Sequence, residues 1–134
     1  MPLRIRAARP EDLPQIYDVL RAAFLDAPIE LFIEQTEGDS TFRWRHARVA
    51  ELDGRIVAHV RIFARTMLVR GVPVRAAGIG SVATLPQLEG SGFATALIYD
   101  ALHHAHALGM PIAYLFTGRT TFYERAGFRI VCQP

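Results

Sequence analysis

The first part of the chain carries a short strand pattern followed by helical spacing. Residues 3–7 form a short segment typical of an opening strand. Beyond it, Pro10 and the two acidic residues that follow suit the first turn of a helix, and apolar side chains then recur every three to four residues. We therefore expect a strand over 3–7 and a helix over 10–24. The acid-rich stretch 29–39 forms either a second short helix or a structured loop.

The middle of the chain carries strand patterns. Apolar runs rich in β-branched residues lie on both sides of Asp53-Gly54, a strong signal for a two-residue hairpin turn. A second pair of short apolar runs flanks Arg70-Gly71 and predicts another hairpin. The predicted strands are residues 49–52, 56–63, 67–69, 72–74 and 77–84.

A long helical pattern follows Gly90-Ser91-Gly92 and ends at Gly109-Met110-Pro111. One apolar face runs along it, formed by Ala94, Leu97, Ile98, Ala101, Leu102, Ala105 and Leu108. The remaining predicted elements are a strand over 112–116, a short helix over 120–126 and a final strand over 128–132. This order predicts a single α/β domain over 1–134, with a mixed sheet and a right-handed βαβ crossover.

Composition limits the class of protein. With 134 residues, 51% of them hydrophobic and 21% charged, the chain suits one globular domain. We expect a cytoplasmic protein, because the N-terminus lacks the apolar core of a signal peptide and no apolar run is long enough to span a membrane. The net charge of +2 is a weak signal for nucleic-acid binding, and all basic residues are arginine. A single cysteine, Cys132, excludes an internal disulfide.

The segment 82–97 carries the most chemical information. A strand that ends in a glycine-rich turn and then starts a helix presents free backbone N–H groups and the positive end of the helix dipole to one point. Glycine lets those amides approach a phosphate closely, so a pyrophosphate is a natural ligand. Alternatively, the glycines only make a tight turn. The absence of a Gly-Lys-Ser/Thr sequence excludes a P-loop, and the absence of Gly-x-Gly-x-x-Gly with a following acid argues against a dinucleotide fold.

The same segment resembles the acyl-CoA-binding motif of the GNAT superfamily of N-acetyltransferases, in which a strand leads through Arg/Gln-x-x-Gly-x-Gly/Ala into a helix. Three further motifs fit in the expected order: Arg9-Pro10-x-Asp12, Asp53-Gly54 and Phe122-Tyr123-x-x-x-Gly127-Phe128. Together they cover nearly the whole chain. The resemblance implies a twisted, mixed and mostly antiparallel sheet flanked by helices, with the βαβ crossover at the cofactor site.

Two alignments of the loop compete. The run from Gln87 to Gly92 satisfies the motif literally, whereas Glu89-x-x-Gly92-Phe93-Ala94 keeps the usual three-residue interval after Pro86. We prefer the second, because it places Phe93 and Ala94 at the apolar helix start. It also puts an acid where the family has a polar or basic residue. The Glu89 carboxylate would oppose pyrophosphate binding unless it points to solvent or pairs with an arginine.

The resemblance implies that acetyl-CoA is the co-substrate. Strand residues would face its pantetheine arm, the loop would hold the pyrophosphate, and the segment just past the fifth strand would lie near both. The residues assigned to the cofactor in this way are Val82, Ala83, Thr84, Glu89, Gly90, Ser91, Gly92, Phe93, Ala94, Thr95, Gly118 and Arg119.

The resemblance also assigns a general acid. Tyr123 stands where many GNAT enzymes have a tyrosine that protonates the departing CoA thiolate, and a side chain with a pKa of about 10 suits this role. His59 is the candidate base, because histidine accepts protons near neutral pH. The alternatives are a structural role for His59, with Glu51 or a water-relayed group as the base. Acids at Glu30, Glu34, Glu37 and Asp39 form either a wall for a cationic acceptor or a solvated face.

These observations predict an N-acetyltransferase that moves an acetyl group from acetyl-CoA to a primary amine of a small molecule or peptide. A non-catalytic acyl-CoA-binding module is the alternative, and binding to nucleic acid through Arg43, Arg45 and Arg48 ranks last. We expect no metal, because His103, His104 and His106 lack further ligands at zinc spacing. We expect no membrane partner. A homodimer is plausible, since so little chain follows the last predicted strand.

Overall fold

The computed structural model describes residues 3–131, which fold into five strands and four helices. The strands are β1 (Leu3–Ala7), β2 (Ala47–Leu52), β3 (Arg55–Val69), β4 (Val72–Thr84) and β5 (Ile112–Tyr114). The helices are α1 (Leu13–Ala23), α2 (Ile29–Glu37), α3 (Phe93–Ala107) and α4 (Thr120–Glu124). Short 3₁₀ helices lie at Pro10–Asp12, Trp44–His46 and Pro86–Leu88.

The strands form one sheet in the order β1-β2-β3-β4-β5. Neighbouring strands are antiparallel except for β4 and β5, which are parallel and connected through α3. The predicted fold class, a mixed and mostly antiparallel sheet flanked by helices, is confirmed. The stretch 29–39, left open between helix and loop, contains helix α2.

Both predicted hairpin turns are present. Asp53 and Gly54 have φ values of 52° and 78°, and Arg70 and Gly71 have 51° and 79°, as a two-residue type I′ turn requires. The strands beside the second turn are longer than predicted. Segments 56–63 and 67–69 are one continuous β3, and 72–74 and 77–84 are one continuous β4. Polar residues interrupt the apolar pattern there, but the backbone ladder continues through them, for example at Thr66 and Arg75.

The C-terminal part differs most from the prediction. The predicted strand over 112–116 ends at Tyr114, where its pairing with Gly78 ends. The predicted strand over 128–132 is wrong for its described part, since 128–131 forms no strand, and Cys132 lies outside the described residues. Ile130 is 50% and Val131 95% exposed, and no strand within residues 3–131 pairs with this segment.

Helices cover both faces of the sheet. Helix α1 packs on the face that carries Ala47, His59 and Arg61. Helix α3 lies on the opposite face, where the buried Arg48 donates to Asp100 at 2.7 Å. Fully buried aliphatic side chains fill the space between the layers and include Val19, Val49, Ile56, Val60, Ile62, Leu97 and Ile98.

A buried arginine joins α2 and the following loop to the sheet. The Arg61 guanidinium lies between two aromatic rings, with its central carbon 4.5 Å from the Phe42 centroid and 4.3 Å from the Phe63 centroid. It donates to the Gln35 carbonyl and, at 2.9 Å, to Asp39. Arg65 donates to the same Asp39 oxygen at 3.0 Å. Arg61 thereby fixes the position of α2 relative to β3.

The two arginines provide a matched test. Burial raises the pKa of Asp39, but hydrogen bonds from Thr41 and the Arg65 guanidinium outweigh it and lower this pKa to about 2, so the carboxylate stays charged. We expect Arg61→Met to lower the free energy of unfolding by about 2–4 kcal/mol, because a buried ion pair and its hydrogen bonds are broken. Arg65→Met should cost less than about 1 kcal/mol, because that side chain is 41% exposed. Urea unfolding followed by circular dichroism measures both, and equal losses would contradict the assignment.

Candidate functional site

A cleft of about 720 Å³ opens where β4 and β5 separate. The two strands pair only from Ala76 to Gly78 on β4, although β4 continues to Thr84. Within the described residues, the later part of β4 therefore has no strand on its β5 side. This free edge forms one wall, the start of α3 forms a second, and the segment after β5 with α4 forms a third.

A β-bulge shapes the free edge of β4. His59 pairs with Ala83 and Arg61 with Gly80, so Ser81 and Val82 together lie opposite Val60. Ser81 has a φ of 49°, a left-handed conformation that is uncommon for a residue other than glycine. A bulge of this kind takes backbone groups out of the regular ladder, and here both Ser81 and Val82 line the cleft.

The glycine-rich loop leads into an open helix start. Gly90 and Gly92 have φ values of 82° and 86°, and a Cβ added to either would meet no described atom within 4 Å. Gly92 precedes α3, and no side-chain hydrogen bond within residues 3–131 caps that helix. The Ala96 amide donates to the Gly92 carbonyl at 3.0 Å, so the amides before it are free of helical bonds. The site has the geometry and dipole that favour a phosphate group.

Charged side chains border this helix start. Arg119 and Arg125 line the cleft, and the Arg119 guanidinium lies 5.0 Å from the Phe122 ring centroid. Glu89 also lines the cleft, is exposed, and forms no ion pair with a described residue. The cations favour an anionic ligand, whereas the carboxylate opposes one.

Tyr123 lies in the wall opposite β4. Its ring stacks on Phe122 with centroids 4.9 Å apart and meets Phe128 edge-on at 6.1 Å. Burial raises the pKa of Tyr123 above its usual value, and the nearby Arg119 acts in the opposite direction. The hydroxyl therefore keeps its proton at neutral pH and can act as a hydrogen-bond donor.

Most residues predicted for the cofactor lie together in this cleft: Val82, Ala83, Thr84, Glu89, Gly90, Gly92, Phe93, Ala94, Thr95 and Arg119. Ser91 and Gly118 belong to the same loops but do not line it. The cleft also includes Arg125, which sequence reasoning missed. Its position two residues after Tyr123 was the available signal. The Tyr99 hydroxyl donates to the Arg125 carbonyl at 3.3 Å and joins α3 to α4.

His59 lies on the other side of the bulge. It lines a cavity of about 20 Å³ beneath α1 and α2, and Ser81 is the residue shared by this cavity and the cleft. The His59 Nδ1 donates to the Ser81 carbonyl at 2.9 Å, which assigns the proton to Nδ1 because a carbonyl can only accept. The Ser81 hydroxyl donates to Gln35 Oε1 at 2.7 Å. The structure therefore does not bring His59 into the cleft that contains Tyr123.

The acetyltransferase (GNAT) domain model matches residues 4–131. The chain belongs to the GNAT acetyltransferase family. No curated protein matches it by sequence.

Solved structures show the same fold. The GCN5-related N-acetyltransferase of Kribbella flavida has a TM-score of 0.84 at 23% identity, over 94% of this chain and 32% of that one. An acetyltransferase of Trypanosoma brucei has a TM-score of 0.76 at 22% identity, over 99% of this chain and 96% of that one. Glucosamine-6-phosphate N-acetyltransferase of Arabidopsis thaliana has a TM-score of 0.77 at 16% identity, over 100% of this chain and 96% of that one. The chain spans about a third of the length of several such relatives.

Residues 3–131 of this GNAT domain contain neither a group of metal-ligating side chains nor a membrane-spanning helix. No group of His, Cys, Asp and Glu side chains there is arranged to hold a metal ion. Of the three histidines on α3, His104 instead lies 3.4 Å from Asp100 and 3.0 Å from Arg48. No helix in that range is long and apolar enough to cross a membrane.

Two histidines of this domain are buried and neutral. Burial, with Arg61 nearby, lowers the pKa of His59 to about 4, although the bond to the Ser81 carbonyl acts in the opposite direction. Burial, together with Arg45, Arg61 and Arg43, lowers the pKa of His46 to about 4. The Arg43 amide donates to His46 Nδ1 at 3.1 Å, so this nitrogen is unprotonated.

These shifts predict acid sensitivity of the fold. In the unfolded chain, histidine takes up a proton near pH 6.5, whereas His46 and His59 resist protonation until about pH 4. The unfolded state therefore binds more protons in this window, and stability falls as the pH falls through it. We expect a loss of roughly 3 kcal/mol per histidine, complete near pH 4. Urea unfolding between pH 7.5 and 4 measures it. Replacing the exposed His103 by Gln should leave the profile unchanged, and a flat wild-type profile would contradict the assignment.

Proposed function

We propose that this GNAT domain transfers an acetyl group from acetyl-CoA to a primary amine of a small molecule or peptide. The observation that carries the proposal is the cleft itself. An uncapped helix start, the free edge of a bulged strand and Tyr123 all line one volume of about 720 Å³. Each of these features supplies one requirement of thioester aminolysis.

The donor would bind through backbone groups and arginines. The free amides at the start of α3, with Gly90 and Gly92 before it, suit a pyrophosphate, and no Cβ fills the space beside them. Arg119 and Arg125 add positive charge on the facing wall. The β4 edge beyond Gly78 offers N–H and C=O groups to the amides of a pantetheine arm, as an added strand would find them.

The transfer needs one bond made, one bond broken and two proton movements. The amine nitrogen attacks the thioester carbonyl carbon, while β4 backbone N–H groups at the bulge stabilise the negative charge on the carbonyl oxygen. The C–S bond breaks, and Tyr123 donates its proton to the departing sulfur. The attacking nitrogen loses its extra proton to water or another base, and bulk solvent restores the tyrosine.

The acceptor would enter from the side of α2, where Glu30, Glu34 and Glu37 are exposed acids. They could attract a cationic amine before it loses its proton. Asp39, which the sequence groups with them, is not free for this purpose because it pairs with Arg61 and Arg65. A non-catalytic acyl-CoA-binding module is the second candidate, and the unpaired Glu89 beside the helix start favours it.

Tyr123→Phe tests whether Tyr123 is the general acid. We expect kcat to fall about 10²- to 10⁴-fold, since a positioned acid contributes that much, while the Kd for acetyl-CoA changes less than about twofold. Thiol release in an amine panel measures kcat, and calorimetric titration measures binding. Tyr114→Phe is the matched control, because Tyr114 does not line the cleft. An unchanged kcat would remove Tyr123 from the mechanism, and a wild-type protein that binds acetyl-CoA without turnover in any amine would be the non-catalytic module.

Glu89→Gln tests the electrostatics of the loop. Removing the exposed carboxylate should tighten acetyl-CoA binding by about two- to fivefold, with a larger gain at low salt, because surface charge interactions are screened by ions. Glu11→Gln is the control: it removes the same charge from an exposed site in the 3₁₀ helix Pro10–Asp12, which precedes α1, whereas the cleft is lined by the other end of α1 at Ala23. Equal affinities for Glu89→Gln and wild type at low salt would mean that this side chain does not face the pyrophosphate.

A further inference from the structure

The bulge in β4 needs support from its surroundings. Ser81 has a φ of 49°, which an L-residue adopts at an energetic cost. Such a conformation persists only when neighbouring groups hold it. Ser81 also lies between the two cavities, so its conformation decides which backbone groups reach the cleft.

Two side chains from different elements hold Ser81. His59 on β3 donates from Nδ1 to its carbonyl at 2.9 Å, and Gln35 on α2 accepts from its hydroxyl at 2.7 Å. Gln35 is in turn held through its own carbonyl by Arg61. The support thus runs from the buried Arg61 through α2 to the serine, with His59 as the second contact.

The placement of His59 does not suit a general base. The side chain is 5% exposed, faces α1 and α2, and does not line the cleft that contains Tyr123. Its Nδ1 is already used as a donor. Arg61 lies two residues further along the same face of β3 and disfavours a positive charge on the ring.

We propose that His59 is a positioning residue: together with Gln35 it holds the Ser81 bulge in the shape that presents the β4 backbone to the thioester. The inference rests on the proposed function and names the residues that set the geometry of that site. It assigns to His59 a hydrogen-bond donor role in place of proton transfer.

Two replacements of His59 separate these roles. In His59→Asn the side-chain amide reproduces the Nδ1 donor but cannot take up a proton, whereas His59→Leu removes the donor. We expect kcat to fall about 10- to 100-fold in the Leu variant, since a small misplacement of reacting groups costs this much. The Asn variant should stay within about threefold of wild type. The Kd for acetyl-CoA should change less than kcat does in the Leu variant, because the helix start proposed to hold the pyrophosphate is untouched even where the β4 edge is altered.

A double-mutant cycle tests whether His59 and Gln35 act on the same residue, Ser81. Gln35→Met removes the acceptor of the Ser81 hydroxyl, and the Gln35→Met/His59→Leu double variant should lose little more kcat than the worse single variant. His103→Asn is the matched control, because that histidine is exposed on α3. If His59→Asn is as inactive as His59→Leu, proton transfer by His59 replaces the proposal. If the variants lower only thermal stability and leave kcat unchanged, a purely structural role replaces it.

The test remains decisive if the proposed function fails. If the wild-type protein acetylates no amine, the proposed function is wrong, but the role of His59 in holding the bulge is still testable. Amide hydrogen exchange at Val82 and Ala83, measured by NMR in the same variants, then reports directly how stable the bulge is. Exchange that is faster in His59→Leu and restored in His59→Asn supports the positioning role, and exchange that is equal in all variants overturns it.

Discussion

The separation of β4 from β5 is the constraint on which the site depends. Strand β5 pairs with only three residues of β4, Ala76 to Gly78, and the crossover helix α3 must then start from the far end of β4. Backbone polar groups left unpaired on a strand need other partners, because burying them alone is costly. Here they face an open cleft instead of a neighbouring strand. The fold therefore leaves a free strand edge next to a helix start, and the His59 and Gln35 side chains contact the bulge within that edge.

Burial affects the protonation of Tyr123 and of His59 in opposite directions. In both side chains it disfavours the charged form, so it raises the pKa of Tyr123 and lowers that of His59. For a tyrosine this preserves the proton that an acid must give. For a histidine it prevents the uptake that a base must perform. The direction of both pKa shifts thus agrees with the acid role proposed for Tyr123 and with the hydrogen-bond role proposed for His59.

Structural elements could be predicted from the sequence where a local pattern is compatible with only one structure. Asp53-Gly54 gives a two-residue turn, and Gly90-Ser91-Gly92 before an apolar periodicity gives a turn and a helix start. The bulge at Ser81 could not be predicted, because it results from how β3 and β4 pair, and Ser81 itself does not favour a positive φ. Gln35 could not be assigned either, since its role depends on contacts between elements distant in the chain. The missing strand over 128–131 has the same origin: its apolar residues suit a strand, but no described strand pairs with them.

The support of the bulge connects stability to function through Arg61. Its guanidinium is buried between two rings and shares Asp39 with Arg65, so charge, aromatic contact and hydrogen bonding all fix its position. Through Gln35 it also fixes α2, which forms the proposed acceptor side. A change in α2 that accommodates a different amine would therefore alter the support of Ser81 as well. Under the proposed function, a change at Gln35 would therefore affect both the acceptor side and the shape of the β4 edge.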